Sequence, residues 1–285
     1  MPYRGKKMTF DRPKYKSFAL MQLKGRWKTA IFATLISIIL LSIFSVTQKQ
    51  TSDLSYSQIA ALSEQQLLEY INSNPMYSGA GFVLSLIYFI INSIVEIVLV
   101  SLFLIYSRSP EPVRLKNYFE GYNKWARGIL TGLWKLLWLF LWGLIAVPVI
   151  IAFAFILALT GIGSNMTLDT IATIHLISPI ILFISLIPML IKSIEYSFIF
   201  FFTAEFPELG IRKALRLSIL LAKGHRWDIF KLDFSFIGWF LLGCLSLGIG
   251  FLWILPYYYM TMTNTYHALL QDALESGKIH PEDLN

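Results

Sequence analysis

Between Thr29 and Val46 the chain runs for 18 residues without a charge. At 1.5 Å per residue such a run makes a helix of about 27 Å, close to the hydrocarbon thickness of a bilayer. Further apolar stretches occur at 82–106, 129–160 and 171–203, and from Ile229 to about Leu270. Backbone N–H and C=O groups inside hydrocarbon have no water to bind, so runs of this kind cross as helices. Composition agrees: 56 % of the 285 residues are hydrophobic and 14 % are charged, where a soluble domain carries about a quarter charged residues.

The charges that remain lie between the apolar runs and set an orientation. Residues 1–28 hold nine Lys and Arg against the single acid Asp11, whereas 47–80 hold only Lys49 against three acids. Loop 107–128 is basic again, with Arg108, Arg114, Lys116, Lys124 and Arg127. By the positive-inside bias the N-terminus and this loop are cytoplasmic and 47–80 is external. The net charge of +7 is spread over such flanks, which points to topology and anionic lipid and away from nucleic acid. The N-terminus is expected to be a retained first span, since the run after its long basic region lacks an Ala-x-Ala ending.

Each basic approach carries a tryptophan: Lys24-Gly25-Arg26-Trp27, Lys124-Trp125-Ala126-Arg127-Gly128 and Lys223-Gly224-His225-Arg226-Trp227. We expect Trp27, Trp125 and Trp227 to anchor three helical hairpins at headgroup level. Residues 205–226 form an amphipathic interfacial candidate, with Pro207 in its first turn and Arg212, Lys213, Arg216 and Lys223 on the polar side. A second short helix is expected after Ser63, where Ser63-Glu64-Gln65-Gln66 fits a capping box, ending at Asn74-Pro75. In 129–160, Trp134, Trp138 and Trp142 recur on one face, and Gly128 with Gly132 makes a small-xxx-small pair suited to close helix packing. Pro179 and Pro188 should kink 171–203, and Ser246-Leu247-Gly248-Ile249-Gly250 should split the last block in two.

The fold class expected is all-α: a polytopic membrane helix bundle of six transmembrane helices in three hairpins, with interfacial amphipathic helices. Residues 1–28 form a basic cytoplasmic segment and 29–270 the membrane domain. Its spans lie near 29–46, 82–106, 129–160, 171–203, 229–246 and 250–270, and 271–285 form a cytoplasmic tail.

Polar residues inside spans carry what functional signal there is. A charge near the bilayer centre costs about 2.5–3.5 kcal/mol on insertion scales, so Glu96, Lys192 and Glu195 should face protein or water. Glu96 and Lys192 lie at similar depth on their helices, which permits an ion pair, with Asn92 one turn from Glu96 and Glu195 as a competing partner for Lys192. These four form the expected intramembrane polar cluster. Asp228 and Lys231 share a helical face at the boundary, and Asp233, deeper, needs a donor such as Arg226 or a tyrosine. Catalytic signals are lacking. His175, His225, His267 and His280 have no metal-ligand spacing, Cys244 is the single cysteine, and no phosphate-cradling or nucleophile-elbow motif occurs. Asn165-Met166-Thr167 fits a glycosylation sequon, a match that chance supplies in a chain this long.

The final third resembles the bacterial DUF975 family of membrane proteins of unknown function. The resemblance rests on Pro207, Ser218, Gly224-His225, Phe230, Leu232, Ser235, Phe236-Ile237-Gly238-Trp239, Leu242, Gly248-Ile249-Gly250, Pro256-Tyr257 and Tyr266. Ala222 and Thr265 depart from it, at positions where Met and Phe are usual, as packing changes. It implies a six-helix fold in a bacterial cytoplasmic membrane and supplies no activity. The function expected is therefore a non-enzymatic integral membrane protein without metal or cofactor, both termini cytoplasmic. Its expected partners are anionic inner-leaflet lipid and a membrane-protein partner or second copy. The alternative is a small transporter or lipid-translocating protein built on the polar cluster.

Overall fold

The computed structural model describes residues 10–46, 62–73, 79–110, 113–159 and 168–284. Arg4, Lys6, Lys7, Lys49, the Asn74-Pro75 stop and the Asn165 sequon lie outside the described residues.

The described residues are all-α. The sequence of helices is α1 (Arg12–Leu23), α2 (Trp27–Val46), α3 (Glu64–Ser73), α4 (Gly79–Arg108), α5 (Leu115–Glu120), α6 (Trp125–Gly143), α7 (Ala146–Leu159), α8 (Leu168–Glu195), α9 (Ile199–Glu205), α10 (Ile211–Ala222), α11 (Arg226–Phe234), α12 (Ile237–Leu245) and α13 (Phe251–Glu275). Single 3-10 turns occur at Gly121–Lys124 and Pro281–Leu284. The capping box before α3 is formed: the Ser63 N–H donates to Gln66 Oε1 at 2.9 Å and the Gln66 N–H donates to Ser63 Oγ at 3.3 Å.

α4 is the axis, with α2, α5, α6, α9 and α13 packed against it. Its two halves differ. From Val95 to Leu104 nearly every side chain is buried, whereas Phe82, Val83 and Leu86 in its first half are exposed. α9 and the middle of α13 close the same core, where Tyr266 is enclosed by Phe198, Phe201 and Phe202. α1 lies along α13: Asn264 Nδ2 donates to Gln22 Oε1 at 2.9 Å. The close approach of α6 to α4 depends on the glycine pair, since a Cβ at Gly128 would sit 2.9 Å from the Ser93 carbonyl oxygen and 2.6 Å from Ile97 Cγ2.

Among the described residues three stretches, where six were expected, are long and apolar enough to cross a membrane: Gly81–Arg108, Leu115–Phe153 and Leu176–Glu205. A fourth arises if α1 and Trp27–Ile43, bent by 100°, count as one. The reason for the shortfall is visible in the last block. α13 carries Thr261, Thr263, Thr265 and Asn264, and its middle is buried in protein, where side chains need not match lipid. The expected split does occur, as a turn over 246–250 with Leu247 at φ 55° and Gly248 at φ 90°. The segment before it is interrupted at Ser235 and Phe236, dividing α11 from α12. The 171–203 run breaks at 196–198, whereas Pro179 and Pro188 stay inside α8. Pro207 lies in the turn before α10 and not in its first turn.

A broken helix leaves carbonyls without intrahelical partners. Here side chains from other elements supply donors. Arg127 of α6 reaches four carbonyls at the end of α9: Thr203 at 3.3 Å, Phe206 at 3.2 Å, Leu209 at 2.8 Å, and Pro207. Lys124 Nζ donates to the Ala204 carbonyl at 2.7 Å. Arg26 spans from Gln22 to Tyr106 and Ser109, joining the α1–α2 bend to the end of α4. Lys16 donates to the Ser235 carbonyl at 3.3 Å, in the gap between α11 and α12, and lies 4.1 Å over the Phe236 ring. Burial, and then the neighbouring Arg12 charge, pushes the Lys16 ammonium below its usual range. At the last turn Ser246 Oγ donates to the Gly243 carbonyl at 2.7 Å and accepts from the Gly250 N–H at 2.8 Å.

Gly128→Ala should therefore lower stability by about 1–3 kcal/mol, because the obstructing atom is a backbone oxygen that no rotamer change removes. Gly238→Ala, where a Cβ meets nothing within 4 Å, should be neutral or stabilising by up to about 1 kcal/mol. Thermal unfolding of the two detergent-purified variants measures the difference.

Candidate functional site

α6, α8 and α10 enclose an open groove of about 660 Å³. One wall is the tryptophan stripe, Trp134, Trp138 and Trp142, whose four-residue spacing keeps it on a single face of α6. Leu215, Ile219 and Leu220 face it from α10, and Lys192, Arg212 and Arg216 stand around it. Two of these cations lie on rings. Lys192 Nζ is 4.6 Å from the Trp142 centroid and Arg212 Cζ is 5.1 Å from that of Trp134. Such contacts are worth about 0.5–1 kcal/mol when exposed and more when desolvated. The Trp142 indole N–H donates to Tyr196 Oη at 3.2 Å, which fixes the far end of the stripe.

Behind the groove Glu195, the last residue of α8, is fully buried. Lys192 Nζ reaches its Oε2 at 2.8 Å, and Arg226 at the start of α11 forms an ion pair with Oε1. The same residue's backbone is secured from α10: Ser218 Oγ donates to the Glu195 carbonyl at 2.7 Å and accepts from the Phe198 N–H at 3.2 Å. One serine thus covers both sides of the break between α8 and α9.

The expected four-residue polar cluster is therefore two sites, and Glu96 does not pair with Lys192. Lys192 takes its local partner Glu195, three residues on, which needs no helix to be repositioned. Glu96 instead accepts from Tyr259 Oη at 2.9 Å and faces a separate cavity of about 220 Å³ with Asn92, Ser93 and Lys135. Lys135 was missed by sequence reasoning. Its signal was a lone lysine inside an apolar run, hidden by the more conspicuous tryptophans beside it. Of the two donors open to Asp233, a tyrosine supplies the bond, Tyr258 Oη lying 3.1 Å from its Oδ1, while Arg226 pairs with Glu195. Consecutive tyrosines of α13 thus reach carboxylates on two different helices.

Asp228 and Lys231 do not pair. Asp228 approaches His225 Nδ1 at 3.9 Å, and Lys231 Nζ lies 5.3 Å over the ring of Trp227, which stacks on Phe230. Of the anchor tryptophans, Trp125 and Trp227 are exposed, while Trp27 is packed against the core. Each stands at the first or second residue of a helix. Arg212, Arg216 and Lys223 are exposed.

The comparisons extend the resemblance seen in the last third across the whole bundle, because a family model described as a protein of unknown function, DUF975, matches residues 8–273. The chain belongs to the DUF975 family. No curated protein and no solved structure matches it. The residues that carried the DUF975 resemblance fall at the structural joints just described. Ser218 bridges the α8–α9 break, Gly224 takes φ 95° before α11, and Ser235 closes α11. Gly248 and Gly250 make the last turn, Pro256 and Tyr257 are buried inside α13, and Tyr266 sits in the aromatic core. Phe230, Gly238 and Trp239 are exposed, Trp239 lying edge-on to Tyr257 at 6.1 Å.

Tyr259→Phe removes the donor to Glu96 and should cost about 1.5–3 kcal/mol, the usual range for a hydrogen bond to a charged group. Glu96→Gln keeps an acceptor and should cost less. In the double variant the two effects should fall short of their sum, because both act on one bond. Unfolding midpoints of the three variants measure the coupling.

Proposed function

We propose that this DUF975 protein is a non-enzymatic integral membrane protein of a bacterial cytoplasmic membrane. In this reading it acts through its basic inner face, which engages anionic lipid and a membrane-protein partner or second copy. The observation that carries the reading is the separation of surfaces. Large apolar side chains are exposed along α7 and α8, among them Ile151, Phe155, Phe183 and Ile184. Water-soluble monomers rarely expose contiguous apolar surface on this scale, whereas lipid covers it at no cost. The exposed cations Arg212, Arg216 and Lys223 lie along α10 and at its end. Each cation near an anionic leaflet contributes about 1 kcal/mol.

In this topology α11 with α12, and α13, make the third hairpin, giving six crossings with both ends inside. Reporter fusions at Ser63, Asn117, Asn165 and Gln271 should read external, internal, external and internal in turn. An external Gln271 overturns the six-crossing arrangement.

A second reading, a small carrier, is favoured by one observation: Glu96 and Lys135 face one cavity without an ion pair between them. Opposite charges at matching depth on neighbouring helices mark a place where a polar solute would be held. A flux or lipid-scrambling assay in liposomes separates the readings. Movement that fails in Glu96→Gln supports the carrier, and absence of movement for every solute tried supports the interaction role.

A further inference from the structure

The groove between α6, α8 and α10 joins two surfaces that suit different parts of one molecule. Its wall is aromatic and aliphatic, and its edge carries Lys192, Arg212 and Arg216. Charge around it is unbalanced: Lys192, Arg212, Arg216 and Arg226 stand against the single carboxylate of Glu195, which is buried between Lys192 and Arg226.

The arginines of the groove differ from the others nearby. Arg26 and Arg127 are occupied by backbone carbonyls, Arg108 by Glu205 and Arg226 by Glu195. Among the described residues, Arg212 and Arg216 have no carboxylate and no carbonyl acceptor. Arg212 Cζ lies 5.1 Å over the Trp134 ring, a cation–π contact that engages none of its N–H donors in a hydrogen bond and leaves them for an oxyanion. Guanidinium forks match phosphate oxygens, and the helix spacing of Arg212 and Arg216, one turn apart, directs both to the same side.

We propose that this groove binds one anionic phospholipid, with its phosphate at Arg212 and Arg216, beside Trp134, and an acyl chain running along Trp138 and Trp142. The inference rests on the proposed membrane reading and names the ligand of that basic face. A free phosphate would leave the tryptophan wall without use, and a lipid of no net charge would leave the excess cations uncompensated. The volume of about 660 Å³ falls within the roughly 300–1,000 Å³ of small-ligand sites. Since the cations meet the phosphate and not its substituent, the site selects charge over headgroup identity.

The test uses the full chain reconstituted in phosphatidylcholine vesicles that contain brominated phosphatidylglycerol or, at equal fraction, brominated phosphatidylcholine. Bromine quenches nearby tryptophan emission. Wild-type protein should be quenched more by the brominated phosphatidylglycerol, and this preference should fall about fivefold for each arginine removed in R212Q and R216Q. Should the double variant fail to fold, Arg216→Gln alone carries the test, its side chain being exposed. Lys213→Gln, on the same helix but away from the groove, should keep the preference. Equal quenching by the two lipids overturns the proposal, as does a preference that survives in R212Q/R216Q. Relief by dissolved inorganic phosphate beyond that given by sodium chloride at equal ionic strength also overturns it, assigning the edge to a free anion. Alkaline carbonate extraction distinguishes the two levels of failure. Protein released from the membrane sinks the membrane reading itself, whereas protein retained without lipid preference sinks only the bound phospholipid.

Discussion

A carbonyl oxygen without a donor is the constraint on which this bundle depends. Each interruption of a helix frees several, and in apolar surroundings a free one costs several kcal/mol. The chain interrupts its helices repeatedly, and at these breaks a side chain from elsewhere returns the lost bond. Arg127 closes the end of α9, Arg26 the end of α4, Lys16 the gap before α12, and Ser218 the break after α8. These contacts bring together elements far apart in sequence, so satisfying the backbone and fixing the tertiary arrangement are one event. Cations that look like topology signals in the sequence are, in large part, structural donors.

The same account explains why two sites formed where one was expected. Once Ser218 fixes the α8–α9 break, Glu195 is carried inside against Arg226, and Lys192 follows it by local geometry. Glu96, on the other side of α6, is left to Tyr259. The glycine contact that presses α6 onto α4 places Lys135 beside that second site and turns the tryptophans toward the first. One helix therefore serves both, with adjacent faces.

How much of this was legible follows from which interactions are local. The capping box at Ser63, the turn over 246–250 and the glycine contact at Gly128 depend on residue type and short spacing, and all three could be read directly. The partner of Asp233 was legible as a donor, either Arg226 or a tyrosine, though not as Tyr258. The break at 196–198 has neither proline nor glycine to announce it, while Pro179 and Pro188, which do announce one, remain within α8. Depth along a helix suggested the Glu96–Lys192 pair, but depth alone leaves the azimuth open. α13 reads as an apolar crossing from its length, and only its burial explains its threonines.

The docking of α1 along α13 has a consequence for synthesis. Gln22 and Asn264, which meet there, are separated by 242 positions. α1 cannot take its place along α13 until nearly the whole of the chain between them has been made. Closing so long a loop is slow, because its entropy must be surrendered before the contact rewards it. Contact order thus makes the α1–α13 contact a late one, whereas the Arg26 tie to the end of α4 closes a far shorter loop.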